Sequence, residues 1–160
     1  MEFATLYPFD STYLEPRIKT NDLSCVLRVS GAGGSVLLTG DIEARAESAM
    51  LARDATLLRS DLLIVPHHGS RTSSTPAFIA AVHPAVAVYT PGYRNRFGHP
   101  RPEIVARYAA AGVRSYRTDY DGALSFTFGG GGSLTPSLER ERERRYWRDP
   151  PVRAALTPPE

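Results

Sequence analysis

Two short apolar runs, Leu62-Leu63-Ile64-Val65 and Ala85-Val86-Ala87-Val88-Tyr89, flank a helical stretch opened by Thr75-Pro76, and they restrict this chain more than any other feature. Runs of that length without polar alternation are strands covered on both faces, as in parallel sheets with helical crossovers. Proline suits the first helical turn, where its missing N–H is not needed. Upstream, Phe3 to Tyr7, Ser24 to Val29 and Ser35 to Leu38 read as strands, the last two joined as a hairpin through Gly31-Ala32-Gly33-Gly34. After Asp41 the period changes. Ile42, Ala46, Ala49, Met50 and Leu57 can share one helical face, with Glu43, Arg45, Glu47 and Arg53 on the other. A further helix runs from Pro102 to a stop at Gly112. Val113 to Arg117 and Ala123 to Phe128 are strands joined by a turn at Asp119-Tyr120-Asp121-Gly122. The order predicts an α/β layer architecture.

At 160 residues the chain is expected to fold as one domain, residues 1–128, followed by a tail, residues 129–160. Gly129 to Gly132 reads as a linker. Beyond it Glu139, Glu141 and Glu143 alternate with Arg140, Arg142, Arg144, Arg145 and Arg148, beside Tyr146 and Trp147. The glutamates neutralise much of that positive charge, so a solvated, flexible segment is expected rather than a nucleic-acid arm. Pro150, Pro151, Pro158 and Pro159 oppose folding of the end. The formal charge of +2 excludes nucleic-acid binding by bulk electrostatics and leaves only a local patch. Cys25 is the only cysteine, which excludes an intramolecular disulfide and a cysteine-rich zinc site; a buried, inert thiol is expected. No apolar run is long enough to span a bilayer and Met1 to Thr5 is no signal peptide, so the chain as given is expected to be soluble.

The chemistry concentrates after the strands. Asp41 follows Val36-Leu37-Leu38 through Thr39-Gly40, and His67-His68-Gly69-Ser70 follows Val65-Pro66. Ligands bind at the carboxyl ends of strands in open sheets, where side chains converge without filling the core. Asp41 alone would read as a helix cap; beside the histidine pair it reads as a metal ligand. Adjacent residues in an extended segment point to opposite sides, so at most one of His67 and His68 enters a given metal sphere and the other moves a proton or orients its neighbour. Ser70, with Arg71-Thr72-Ser73-Ser74, supplies donors suited to phosphate or metal-bound water. Asn95, Arg96 and His99 lie just past the strand ending at Tyr89. They are candidates for binding an anionic substrate, because arginine grips phosphate bidentately. His83 precedes a strand at the opposite end of the sheet and reads as structural. A carboxylate-and-imidazole set accepts Mn²⁺ or Zn²⁺ and points to hydrolysis.

The segment from Asn21 to Phe128 resembles the metallo-β-lactamase-like domain at the carboxyl end of the ComEC-type DNA-internalisation competence family. The resemblance rests on Asn21-Asp22-Leu23-Ser24-Cys25, Leu37-Leu38-Thr39-Gly40-Asp41-Ile42-Glu43, Val65-Pro66-His67-His68-Gly69-Ser70, Asn95-Arg96-Phe97-Gly98-His99-Pro100 and Arg117-Thr118-Asp119 with Asp121-Gly122-Ala123, in this order. It implies the second half of an αββα sandwich and two divalent ions in the complete domain. It also implies hydrolysis of the non-transported DNA strand during uptake, at the outer face of the cytoplasmic membrane. By that resemblance Asp41 bridges the metals, His67 is a ligand and His68 is catalytic. The partners implied are single-stranded DNA and the amino-terminal half or channel portion of the same system. A ligand cluster of the H-x-D-x-D-H type, placed by the resemblance in the first half, does not occur in these 160 residues. Two other readings follow from the same residues: a phosphoesterase of this fold with a small substrate, and a non-catalytic fragment.

Overall fold

The computed structural model describes residues 1–130 and 133–143. Six strands form one sheet in chain order: β1 (Glu2–Tyr7), β2 (Val26–Gly31), β3 (Gly34–Leu38), β4 (Leu62–Ile64), β5 (Val86–Tyr89) and β6 (Arg114–Arg117). The first three pair antiparallel, and β3 to β6 pair parallel. The crossovers are α1 (Ala44–Asp54), α2 (Pro76–Val82) and α3 (Pro102–Ala110). The architecture is α/β, as the alternation of apolar runs and helices predicts.

The apolar runs are explained by two cores. Leu63, Val65, Ala87 and Tyr89 face the helices, against Met50, Phe78, Ile104 and Tyr108. Leu62, Val86 and Val88 point the other way, onto Phe126, Phe128 and Leu134. These last three belong to a separate hairpin, β7 (Leu124–Phe128) and β8 (Leu134–Leu138), which pairs antiparallel with itself and not with β6. A short helical turn, α4 (Thr118–Asp121), leads from β6 into it, and α5 (Glu139–Arg142) follows β8.

The structure corrects four details of the sequence reading. The region read as a linker and tail from residue 129 carries β8; Leu134, Pro136 and Leu138 turn inward at alternate positions and continue the hairpin. Residues 144–160, including Arg144, Arg145, Tyr146, Trp147, Arg148 and the prolines expected to be flexible, lie outside the described residues. Cys25 is exposed, because β2 begins one residue later and commits Val26 to the core. Glu43 and Glu47, assigned to the polar face of the helix, are buried. Leu57, assigned to its apolar face, is 50% exposed: α1 ends at Asp54, and a 3₁₀ turn over Ala55–Leu58 turns Leu58 inward instead.

Glu47 is buried for a polar reason. Its carboxylate accepts the backbone N–H of Ser74 at 2.5 Å and of Thr75 at 2.8 Å. Arg107 donates to the Ser74 carbonyl at 3.0 Å, and the Tyr108 hydroxyl donates to Ser74 Oγ at 3.1 Å. Glu47 thus ties α1 to the segment entering α2, and Ser74 in that segment is in turn held by α3. Burial pushes the Glu47 carboxyl above its ordinary value, against the opposing pull of the Thr75 and Ser74 bonds and the Arg107 charge.

Candidate functional site

Parallel strands β3, β4 and β5 end side by side, so the segments after Leu38, Ile64 and Tyr89 share one edge of the sheet. The backbone fixes their relation. His67 N–H donates to the Gly40 carbonyl at 3.0 Å, and Arg101 N–H donates to the Gly69 carbonyl at 3.0 Å. Gly40 adopts φ +55, and a Cβ there would stand 2.9 Å from the Cβ of Ser24. This close approach is where the glycine is needed.

Asp41 is not the helix cap. Glu43 occupies the N-cap position of α1, its N–H taken by Asp22 Oδ1 at 3.0 Å, while Asp41 N–H donates to Ser24 Oγ at 3.2 Å. The acids and hydroxyls of the Asn21-to-Cys25 stretch therefore serve to hold the turn that presents Asp41. Asn21 Nδ2 also donates to Glu43 Oε1 at 3.4 Å, and Lys19 Nζ to Glu43 Oε2 at 2.6 Å.

The histidines are not extended. His67 (φ 48, ψ 41) and His68 (φ 53, ψ 19) both take left-handed backbone conformations, and Gly69 follows at φ +84. Non-glycine residues in that region are uncommon, and two in succession mark a turn held by its surroundings. The expectation that the rings diverge across a strand is corrected, because both now face the site. His68 Nε2 lies 3.5 Å from Asp41 Oδ1, and its Nδ1 is 3.0 Å from Thr90 Oγ1. His67 Nδ1 lies 3.7 Å from Glu43 Oε1 and 3.5 Å from Thr72 Oγ1. The residue beside Asp41 is thus His68, whereas His67 faces Glu43.

His99 joins the same cleft, its ring centroid 5.8 Å from that of His67. Its buried Nδ1 has no hydrogen-bond partner among the described residues. Burial lowers its proton affinity, and the neighbouring His67, Arg101 and His68 lower it further. Glu43 is lowered as well, but against its burial. Burial alone would raise its carboxyl, but hydrogen bonds from Lys19, Thr72 and Asn21 and the Lys19 charge outweigh it, and the net shift is downward. The same pairing raises Lys19. The site therefore keeps an anionic Glu43 beside His67.

Other sequence candidates hold loops. The Asn95 side chain donates to the His99 carbonyl at 2.8 Å and accepts from His99 N–H at 3.1 Å. Ser70 Oγ is 3.1 Å from Thr72 Oγ1, and Ser70 is buried. Arg96 is exposed, its guanidinium 5.4 Å from the Phe97 ring centroid. Arg117 grips Asp119 with two bonds, at 3.0 and 2.7 Å, and Thr118 Oγ1 donates to the Pro91 carbonyl at 2.9 Å, anchoring the start of the Pro91–Pro100 loop. His83 caps α2 at the end of the sheet remote from this site. Glu43 and Thr90 were missed by sequence reasoning. Glu43 carried the signal of lying two residues past Asp41, whereas Thr90 carried none.

Carboxylate oxygen and imidazole nitrogen are the donor types a divalent ion takes. Among the described residues, no three His, Cys, Asp or Glu side chains form one group able to hold a metal ion. Also among the described residues, no helix is long and apolar enough to cross a membrane.

The chain is 38% identical over 146 residues to Competence protein ComA of Neisseria gonorrhoeae, covering 89% of this chain and 21% of that protein. It is 32% identical over 114 residues to ComE operon protein 3 of Bacillus subtilis, covering 71% of this chain and 14% of the relative. It is 41% identical over 87 residues to Recombination protein 2 of Haemophilus influenzae, covering 54% of this chain and 11% of the relative. The chain thus spans about a fifth or less of the length of these curated relatives. No protein-family model matches the chain.

Proposed function

We propose that this chain is a portion of a metal-dependent phosphodiesterase domain of the metallo-β-lactamase type, acting on DNA in competence. Its similarity to proteins named for competence supports the association with DNA uptake. The observation that carries the chemistry is the 3.5 Å approach of His68 Nε2 to Asp41 Oδ1, made by residues delivered from two parallel strand ends. A divalent ion, Mn²⁺ or Zn²⁺, held between them would polarise a phosphoryl oxygen and lower the pKa of a bound water. Further ligands would come from the longer protein to which this region corresponds in its relatives. Single-stranded DNA and that remaining portion are the partners of this reading, and the outer face of the cytoplasmic membrane is its location.

The geometry favours exchanging the roles that the resemblance gives the two histidines. Thr90 orients His68 by its Nδ1, which leaves Nε2 for the metal side, as the partner of a ligating imidazole does. His67, between the Glu43 carboxylate and the His99 ring, is placed to hold or pass a proton at Nδ1. Calorimetric titration with Mn²⁺ and Zn²⁺, run with Asp41→Ala and His68→Ala, tests this. Binding lost in both variants supports the reading; binding unchanged in both overturns it. Turnover of single-stranded DNA against bis-p-nitrophenyl phosphate then separates a nuclease from a small-substrate phosphoesterase.

A further inference from the structure

The Pro91–Pro100 loop carries two aromatic rings that the core leaves largely exposed. Tyr93 is 67% exposed and Phe97 is 62% exposed, although each is large enough to be a core residue. Each is accompanied by a guanidinium. Arg94 lies 5.2 Å and Arg140 5.4 Å from the Tyr93 ring centroid, and Arg96 lies 5.4 Å from that of Phe97. Among the described residues no ion pair engages Arg94 or Arg96, so both charges are available to a phosphate.

The rings are also in line with the site. Phe97 stacks on His99 with planes 17° apart and centroids 6.3 Å apart, and His99 lies 5.8 Å from His67. The loop is held at several points, by the two Asn95–His99 bonds, by Thr118 on the Pro91 carbonyl, and by the bond from Arg101 to Gly69. A surface held this way loses little freedom on binding.

We infer that this loop is a base-stacking rim, on which Tyr93 and Phe97 receive the bases of an unpaired nucleic-acid strand while Arg94 and Arg96 hold its phosphates. Exposed aromatic faces beside arginine are the elements that bind single strands without regard to sequence, and a duplex keeps its bases stacked inside, out of reach of such rings. A small phosphodiester would have no use for the rings. The inference deepens the phosphodiesterase reading of the adjoining site and rests on it for the direction in which the strand would run.

Fluorescence anisotropy on the chain without metal tests the rim directly. The probes are a labelled oligothymidine, a strand of equal length and charge lacking bases, and a blunt duplex. Oligothymidine is expected to bind on the order of a hundredfold more tightly than the base-free strand, about tenfold for each base stacked on one of the two rings. Phe97→Ala and Tyr93→Ala each remove on the order of tenfold of that preference, Phe97→Leu behaves like Phe97→Ala, and Tyr93→Phe retains wild-type binding. Equal affinity for base-bearing and base-free strands, or preference for duplex, overturns the proposal. The metal titration does not read these outcomes, so failure of the hydrolytic reading and failure of the rim are told apart.

Discussion

Gly69 lies directly beneath Pro100: a Cβ built on the glycine would stand 2.6 Å from the proline Cβ and 3.0 Å from Tyr89 Cδ1. With φ at +84, the position also lies in the left-handed region. This contact seats the Pro91–Pro100 loop against the histidine turn. Gly69→Ala is expected to destabilise the fold by at least about 1–2 kcal/mol from the backbone conformation alone, with the overlap adding to that. Urea unfolding monitored by circular dichroism measures it. An unchanged midpoint would mean that the two segments part easily.

The Asp41–His68 approach gives a sharper expectation for metal binding than single substitutions do. If both side chains touch one ion, the double variant Asp41→Ala/His68→Ala loses less affinity than the sum of the two single losses, because residues that share a partner are coupled. Thr90→Val removes the hydroxyl at His68 Nδ1 without touching the metal side. It is expected to weaken Mn²⁺ binding about 10–100-fold, the cost of losing an orienting partner. Additive losses in calorimetry would place the two residues at separate positions.

Glu47 is the polar centre of the helical layer. Glu47→Ala leaves the N–H groups of Ser74 and Thr75 without acceptors in a buried setting, at a cost of about 2–4 kcal/mol. Its pH dependence has a definite sign. The folded chain binds a proton on Glu47 more readily than the unfolded chain, since its carboxyl is raised. The associated stability is full below the ordinary glutamate value of about 4.3, and is lost as pH rises through the higher folded value. A ¹³C-carboxyl NMR titration should place Glu47 above the other glutamates. A titration at or below the ordinary value would show that the two backbone bonds outweigh burial.

The strand and helix order was legible because periodicity reports burial, and the runs at Leu62 and Ala85 are buried on both faces. The convergence of Asp41, the histidine pair and His99 was legible because strand ends are where such residues gather. The pairing within that group was not. It depends on the left-handed turn of His67 and His68; extended geometry leaves open which ring meets Asp41, and the resemblance pointed to His67. Glu43 and Glu47 were misassigned for a related reason. Helical spacing assumes that acids face water, whereas these two bind backbone and side-chain donors from segments far away in sequence. β8 was hidden by the glycines that precede it, because a glycine-rich stretch reads as a linker whether or not the strands beside it pair.

Cys25 tests the boundary of β2. The sequence alternation from Ser24 to Val29 directs the thiol inward, but the strand starts at Val26 with that residue fully buried, and the thiol emerges on the outer side. A thiol reaches a reagent in proportion to its access and its thiolate fraction. Mixed with excess dithionitrobenzoate at pH 8, the folded chain is expected to release one equivalent of thionitrobenzoate without denaturant. Its rate should fall within about tenfold of that of the urea-unfolded chain. Release only after unfolding would return Cys25 to the core. It would also require β2 to shift by one residue, which would carry Val26 out of the cluster it shares with Tyr7 and Leu37.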